Sequence, residues 1–222
     1  MERPAAHVAA PFAVRRLDDP RRLGRGGATQ AGGRGFRHRP AQRAHPAESV
    51  TELKLRQVGR RYGLGGPWVL REVDLELRPG ALVRVEGANG SGKSTLLRLL
   101  AGIDAPTEGR ITGRPRTAYV PERFPAALPF TAAGYLTHLG RIHGLGRRAA
   151  ASGAAEWLER FGAAAYSRTP LGELSKGTSQ KVAVAQALVA GPELLVLDEA
   201  WTGLDAPARE QLDLAVAALV TA

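Results

Sequence analysis

The chain has 222 residues, a formal net charge of +10 and no cysteine. A disulfide framework, a thiolate metal site and a cysteine nucleophile are therefore excluded, and stability must come from ordinary packing. The charge is a weak argument for nucleic acid, because residues 1–50 carry +6 of it and the rest of the chain only +4.

Residues 1–50, with stretches such as RRLGRGGATQAGGRGFRHRP, are rich in Arg, Gly, Pro and Ala and show neither helical nor strand periodicity. Such a segment buries too little apolar surface to offset its ordering entropy, so a disordered tail is expected; an arm that folds on RNA or on a membrane surface is the alternative. Fold-like patterning starts directly after Val50 with TELKLRQVGRRYG. Valine can be encoded by an alternative bacterial start codon, so a natural start at Val50 is a further expectation. No stretch reaches the roughly 18 uninterrupted apolar residues of a membrane span, and the scattered N-terminal arginines do not form a secretory signal.

From Thr51 the elements follow in order. Leu53, Leu55 and Val58 predict a first strand; Val73, Leu75 and Leu77 alternate with acidic residues in a second; Ala81 to Glu86 form a third. A Gly-rich turn precedes a helix over 94–100, then short strands fall near Arg110 and over 117–120. Residues 124–173 read as a small helical insertion, interrupted by HGLG at 143–146. A helix over 179–190, a buried strand over 194–197 and a last helix from about Pro207 complete the chain. Strands alternating with helices predict an α/β fold with a mostly parallel central sheet behind an antiparallel N-terminal β subdomain.

Residues 87–94, GANGSGKS, match G-x-x-x-x-G-K-[ST] between the strand-like VRVEG and the helix-like TLLRLL. Gly87, Gly90 and Gly92 let the backbone turn tightly, so that the N–H groups of the loop, through Ala88, Asn89 and Ser91, face phosphate oxygens. The helix N-terminus adds partial positive charge. Lys93 reaches the β- and γ-phosphates, Ser94 offers a hydroxyl to Mg²⁺, and Thr95 contacts the α-phosphate side. Downstream, Leu194 to Leu197 deliver Asp198 and Glu199 to the C-terminal end of a buried strand, where ligands of parallel sheets bind. Asp198 suits the Mg²⁺ shell and Glu199 suits a general base that orients the attacking water.

A second anion-binding corner, LSKGTSQ at 174–180, precedes the helix-like KVAVAQALVA. Taken together, GANGSGKST, LSKGTSQKVAVAQAL and LLVLDEAWTGLD, in this order and spacing, resemble the ATP-binding cassette (ABC) ATPases over residues 51–222. The resemblance implies a P-loop NTPase fold and a head-to-tail dimer in which each ATP lies between one subunit's phosphate loop and the other's signature. Ser175, Lys176, Gly177 and Thr178 would then act on the ATP of the facing subunit. Tyr62 matches the aromatic that stacks on adenine, and Asp205 the aspartate that bridges the subunits. ATP and Mg²⁺ are the implied cofactors.

Three departures from the family pattern stand out. Glu122, in Tyr119-Val120-Pro121-Glu122, replaces a glutamine that touches Mg²⁺; glutamate keeps an oxygen ligand but adds charge. Lys176 and Thr178 replace a glycine and a glutamine, while Ser175 and Gly177 keep the phosphate-facing pair. The family also places a histidine about thirty residues beyond the base glutamate, and the sequence ends at Ala222, 23 residues after Glu199, so a C-terminally truncated cassette is expected.

The resemblance implies the ATP-hydrolysing subunit of a bacterial transporter. Its partners would be a second ABC subunit, identical or related, and separate membrane-spanning permease subunits that hold it at the cytoplasmic face of the cell membrane, with no direct nucleic acid. The alternatives are a catalytically silent or fragmentary subunit, or a soluble ABC protein acting on nucleic acid or ribosomes.

Overall fold

A computed structural model describes residues 12–17, 52–124 and 128–221. The inferred start at Val50 and most of the expected tail lie outside them.

The first element is a strand that sequence periodicity did not announce. Phe12–Leu17, β1, pairs antiparallel with Leu82–Gly87, β4, from Phe12 opposite Gly87 to Leu17 opposite Leu82. Six residues suffice because β4 offers a ready edge. Phe12 is buried in the core beside Val14 and Val85, and Arg15 meets Glu86 at 3.1 Å. Residues 12–17 of the segment expected to lack structure are therefore part of the fold.

Leu53–Arg61, β2, lies between Trp68–Leu77, β3, and Glu108–Thr112, β5, and both pairings are antiparallel. Leu53, Leu55, Val73 and Leu75 point inward from this sheet and are buried. Thr117–Val120, β6, pairs in parallel with Leu194–Leu197, β7, with Val120 opposite Leu197. The parallel pairing expected of the centre is seen there. β4 instead takes β1 as its neighbour, so among the described residues the sheets are more antiparallel than the alternation of strands and helices suggests.

Lys93–Leu100, α1, follows the phosphate loop, and Leu96 and Leu99 seat it on the β2–β3 core. The helical insertion consists of Ala132–Ile142, α2, and Arg147–Arg160, α3, separated by the HGLG break. Thr131 caps α2 by accepting the N–H of Gly134. Lys176–Val189, α4, packs against this pair, and Ala206–Val220, α5, closes the fold.

Two apolar cores result, and β7 separates them. Val196 faces the core of β2, β3 and α1, while Leu195 and Leu197 face the core of α2 to α5, as a strand's period of two requires. A cleft of about 440 Å³ runs between β4 and β7, lined by Leu97 and Val216 among others and also by Lys93, Asp198 and Glu199.

Candidate functional site

The phosphate loop turns directly out of β4. Gly92, at φ 88°, occupies the left-handed region, and a Cβ there would sit 2.9 Å from Leu70 and 3.0 Å from the carbonyl of Val69. Gly87 is a close-approach glycine: a Cβ there would lie 2.7 Å from both Phe12 and the Ser91 hydroxyl. Ser91 closes the turn by donating its N–H to the carbonyl of Ala88 at 3.2 Å.

Behind the loop, α1 starts at Lys93 with no side-chain cap on its N-terminus. Its first N–H groups, those of Lys93, Ser94 and Thr95, have no partner in the helix itself. An uncapped helix start behind a glycine-rich turn is an anion seat by charge and by hydrogen bonding. The Lys93 ammonium folds over the loop and donates to the carbonyls of Gly87 and Ala88, each at 2.8 Å. A phosphate could draw it away from these neutral carbonyls, because charge-assisted hydrogen bonds are stronger.

The acidic pair arrives by the parallel register. Val120 and Leu197 are opposite one another, so Glu122 and the pair Asp198–Glu199 leave neighbouring strands at the same end. Asp198 is buried, its N–H donates to the carbonyl of Val120, and its Oδ2 accepts the hydroxyl of Tyr119 at 3.1 Å. Burial, then the charge of Asp198, pushes the Tyr119 hydroxyl up to about 12. Glu199 is exposed and stands at φ 52°, a left-handed backbone that costs a non-glycine residue of order 1–3 kcal/mol and is found at working sites. Its Oε2 accepts the hydroxyl of Thr202 at 3.4 Å.

The donor set fits Mg²⁺ bound together with a nucleotide. No cluster of three or more His, Cys, Asp or Glu that could hold a metal by itself occurs among the described residues. A buried carboxylate and a serine hydroxyl are what remains for a hard cation that keeps waters and phosphate oxygens as its other ligands. Ser94, Asp198 and Glu122 are the candidates.

Tyr62 lies against α1 and the turn that follows it. Its hydroxyl accepts from Arg98 at 2.7 Å, donates to Asp104 at 3.0 Å and lies 3.4 Å from the Thr95 hydroxyl. The Arg60 guanidinium stands 4.6 Å over its ring centre, yet the residue keeps 45% of its surface exposed.

The other predicted residues gather elsewhere. Ser175 caps α4, accepting the N–H of Thr178 at 3.2 Å, with the two hydroxyls 2.9 Å apart. The helix begins at Lys176, three residues before the position expected, because this cap lets Lys176, Gly177 and Thr178 form its first turn. A Cβ on Gly177 would lie 3.2 Å from the carbonyl of Gly203, so the corner rests on the loop that leads to Asp205. Asp205 caps α5 through the N–H of Ala208 at 3.0 Å and binds Lys181 of α4 at 2.7 Å. The Lys181 ammonium, then the Ala208 N–H, holds the Asp205 carboxyl below its usual range.

Three supporting residues escaped sequence reasoning. Tyr119 contacts Asp198, Lys181 contacts Asp205, and buried Gln180 donates to the carbonyl of Ala200 at 3.3 Å. Gln180 ends the polar stretch LSKGTSQ, where a glutamine draws no attention; the other two depend on distant pairings.

A family model described as "ABC transporter" matches residues 70–202. The zinc import ATP-binding protein ZnuC of Cereibacter sphaeroides is 44% identical over 143 residues, which cover 63% of this chain and 56% of the relative. ZnuC of Pseudomonas putida is 36% identical over 164 residues, covering 72% and 60%. The uncharacterized ABC transporter ATP-binding protein YhaQ of Bacillus subtilis is 36% identical over 156 residues, covering 66% and 52%. The chain thus spans little more than half the length of these curated relatives. Among solved structures, an ATP binding subunit of an ABC transporter superposes with a TM-score of 0.66 at 24% identity, covering 76% of this chain and 75% of that one. The dimeric post-hydrolysis cassette MJ0796, bound to ADP and Pi, gives 0.63 at 23% identity, covering 74% and 81%. At these identities the structural comparisons speak to the fold alone.

Proposed function

Since the chain belongs to the ABC transporter family, we propose that it binds and hydrolyses ATP as one half of a cassette dimer that powers a membrane permease. The observation that carries this reading is the uncapped N-terminus of α1 behind a glycine-rich turn, with Lys93, Asp198 and Glu199 lining one cleft.

In this mechanism the N–H groups of the loop and of α1 hold the phosphate chain, and Lys93 leaves its carbonyl partners for the β- and γ-phosphates. Tyr62 supports the adenine with its free ring surface, a contact worth about 1–3 kcal/mol by analogy with base stacking. Ser94 and Asp198, with Glu122 beside them, would hold Mg²⁺, which when bound offsets the negative charge that the phosphates develop. Glu199 accepts a proton from the attacking water. Ser175 and the first turn of α4 present a second anion seat, which reaches the γ-phosphate of an ATP held by the facing subunit and makes the nucleotide part of the interface.

No helix among the described residues is long and apolar enough to cross a membrane, so attachment at the cytoplasmic face would come through the permease. The exposed parts of α2 and α3 offer the docking surface for it. The names of the ZnuC relatives favour zinc as the imported substrate. Selection of that substrate would belong to the permease, because the cassette groups above all address a nucleotide.

The test is ATP binding and steady-state hydrolysis by the purified chain. Glu199→Gln is expected to keep ATP binding and lower turnover at least a hundredfold, whereas Lys93→Ala should lose most of the binding. Equal turnover in Glu199→Gln would remove the assigned base. A second reading, a subunit that binds ATP without hydrolysing it, draws on Glu122, which adds a carboxylate beside Asp198. ATP binding with no turnover in the unaltered chain, restored by Glu122→Gln, would select it.

A further inference from the structure

Tyr119 has no role in the reading above, yet its hydroxyl makes the polar side-chain contact of Asp198. On β6 it stands level with Val196 of β7, two residues before that carboxylate. Two residues of a strand rise about 6.6 Å, a length that the phenol ring spans. Its hydroxyl thereby reaches Oδ2 of Asp198 at 3.1 Å.

The backbone of Tyr119 is held from α4. The carbonyl of Tyr119 accepts from Gln186 of α4 at 3.4 Å, and the Gln186 side-chain oxygen accepts the hydroxyl of Tyr135 of α2 at 2.5 Å. Tyr119 thus sits between the helical insertion and the acidic end of β7. Arg98 and Glu122 are the other charged groups that its hydroxyl senses.

We propose that Tyr119 is a positioning residue for the divalent cation: by holding Oδ2 of Asp198 it fixes the plane of the carboxylate that would hold the metal. The terminal torsion of an aspartate is broad and roughly two-fold, so a carboxylate without a partner samples several orientations. A phenol is a suitable clamp because its hydroxyl is a hydrogen-bond donor carried at the end of a rigid ring. Outer partners of metal ligands act in this way, and their removal weakens metal binding about 10- to 100-fold. The inference rests on the reading of Asp198 as a metal-shell carboxylate.

Tyr119→Phe keeps the ring and deletes only the hydroxyl. Mn²⁺ serves as the probe, its affinity measured by electron paramagnetic resonance on the full chain with a non-hydrolysable ATP analogue. Binding of the analogue in excess chelator and the thermal midpoint without nucleotide are measured in parallel. Tyr119→Phe is expected to weaken Mn²⁺ about tenfold, with metal-free nucleotide binding and the thermal midpoint close to those of the unaltered chain. Unchanged Mn²⁺ affinity would overturn the inference, as would an equal loss of metal-free nucleotide binding, which would make the tyrosine a packing group. Asp198→Asn separates the two layers of the argument. If it abolishes Mn²⁺ binding while Tyr119→Phe does not alter it, the positioning role alone fails; if Asp198→Asn leaves Mn²⁺ binding intact, the underlying assignment of Asp198 fails as well.

Discussion

Asp205 couples two helices through one carboxylate, capping α5 with Oδ1 and meeting Lys181 of α4 with Oδ2. Asparagine caps a helix about as well as aspartate, so Asp205→Asn isolates the ion pair from the cap. The folded state holds this carboxyl below its ordinary 3.8. The stabilisation is therefore fully present above that value and is lost as pH falls through the lower folded-state value. Thermal unfolding should show Asp205→Asn less stable than the unaltered chain at pH 7, with the gap closing under acid below pH 3.8. A gap that stayed constant down to the lowest pH would show that the pair is not the source. The effect at neutral pH is expected to be small, because more than half of the Asp205 side chain is exposed and screened.

Among the elements, α1 owes its place to an apolar stripe. Leu96 and Leu99 are buried on the β2–β3 core, and the start of the same helix forms the proposed phosphate seat. Leu96→Ala should cost about 2–5 kcal/mol in unfolding free energy and weaken nucleotide binding with it, measured by denaturant titration and by nucleotide binding on the same preparation. Stability lost with ATP affinity unchanged would separate the seat from the helix packing. This helix was legible in the sequence because Leu96, Leu99 and Leu100 recur at helical spacing after a specific loop motif. β6 and β7 were legible as short apolar runs. The early start of α4 was not, because the cap at Ser175 lies in a segment whose polar residues read as a loop. β1 was not, because its short Phe12/Val14 alternation gains meaning only against the edge of β4. Contacts such as Tyr119 with Asp198 are 79 residues apart in sequence, and no local pattern encodes them.

For the whole molecule, the two proposed anion seats have different surroundings. Lys93 lines the β4–β7 cleft together with Asp198 and Glu199, while Gly177 leans on the carbonyl of Gly203, in the loop that leads to Asp205. A single chain that uses both seats on ATP therefore does so most simply by closing on a second chain. Slowing hydrolysis should then trap a dimer held by nucleotide. The measurement that tests this most directly is the mass of the Glu199→Gln chain by analytical ultracentrifugation, with and without ATP, beside the double variant Glu199→Gln with Ser175→Asp. Aspartate keeps the helix cap but sets a carboxylate against the incoming γ-phosphate. The account predicts an ATP-dependent doubling of mass for Glu199→Gln, and a double variant that binds ATP yet stays monomeric. ATP-dependent dimers of equal strength in both would contradict it.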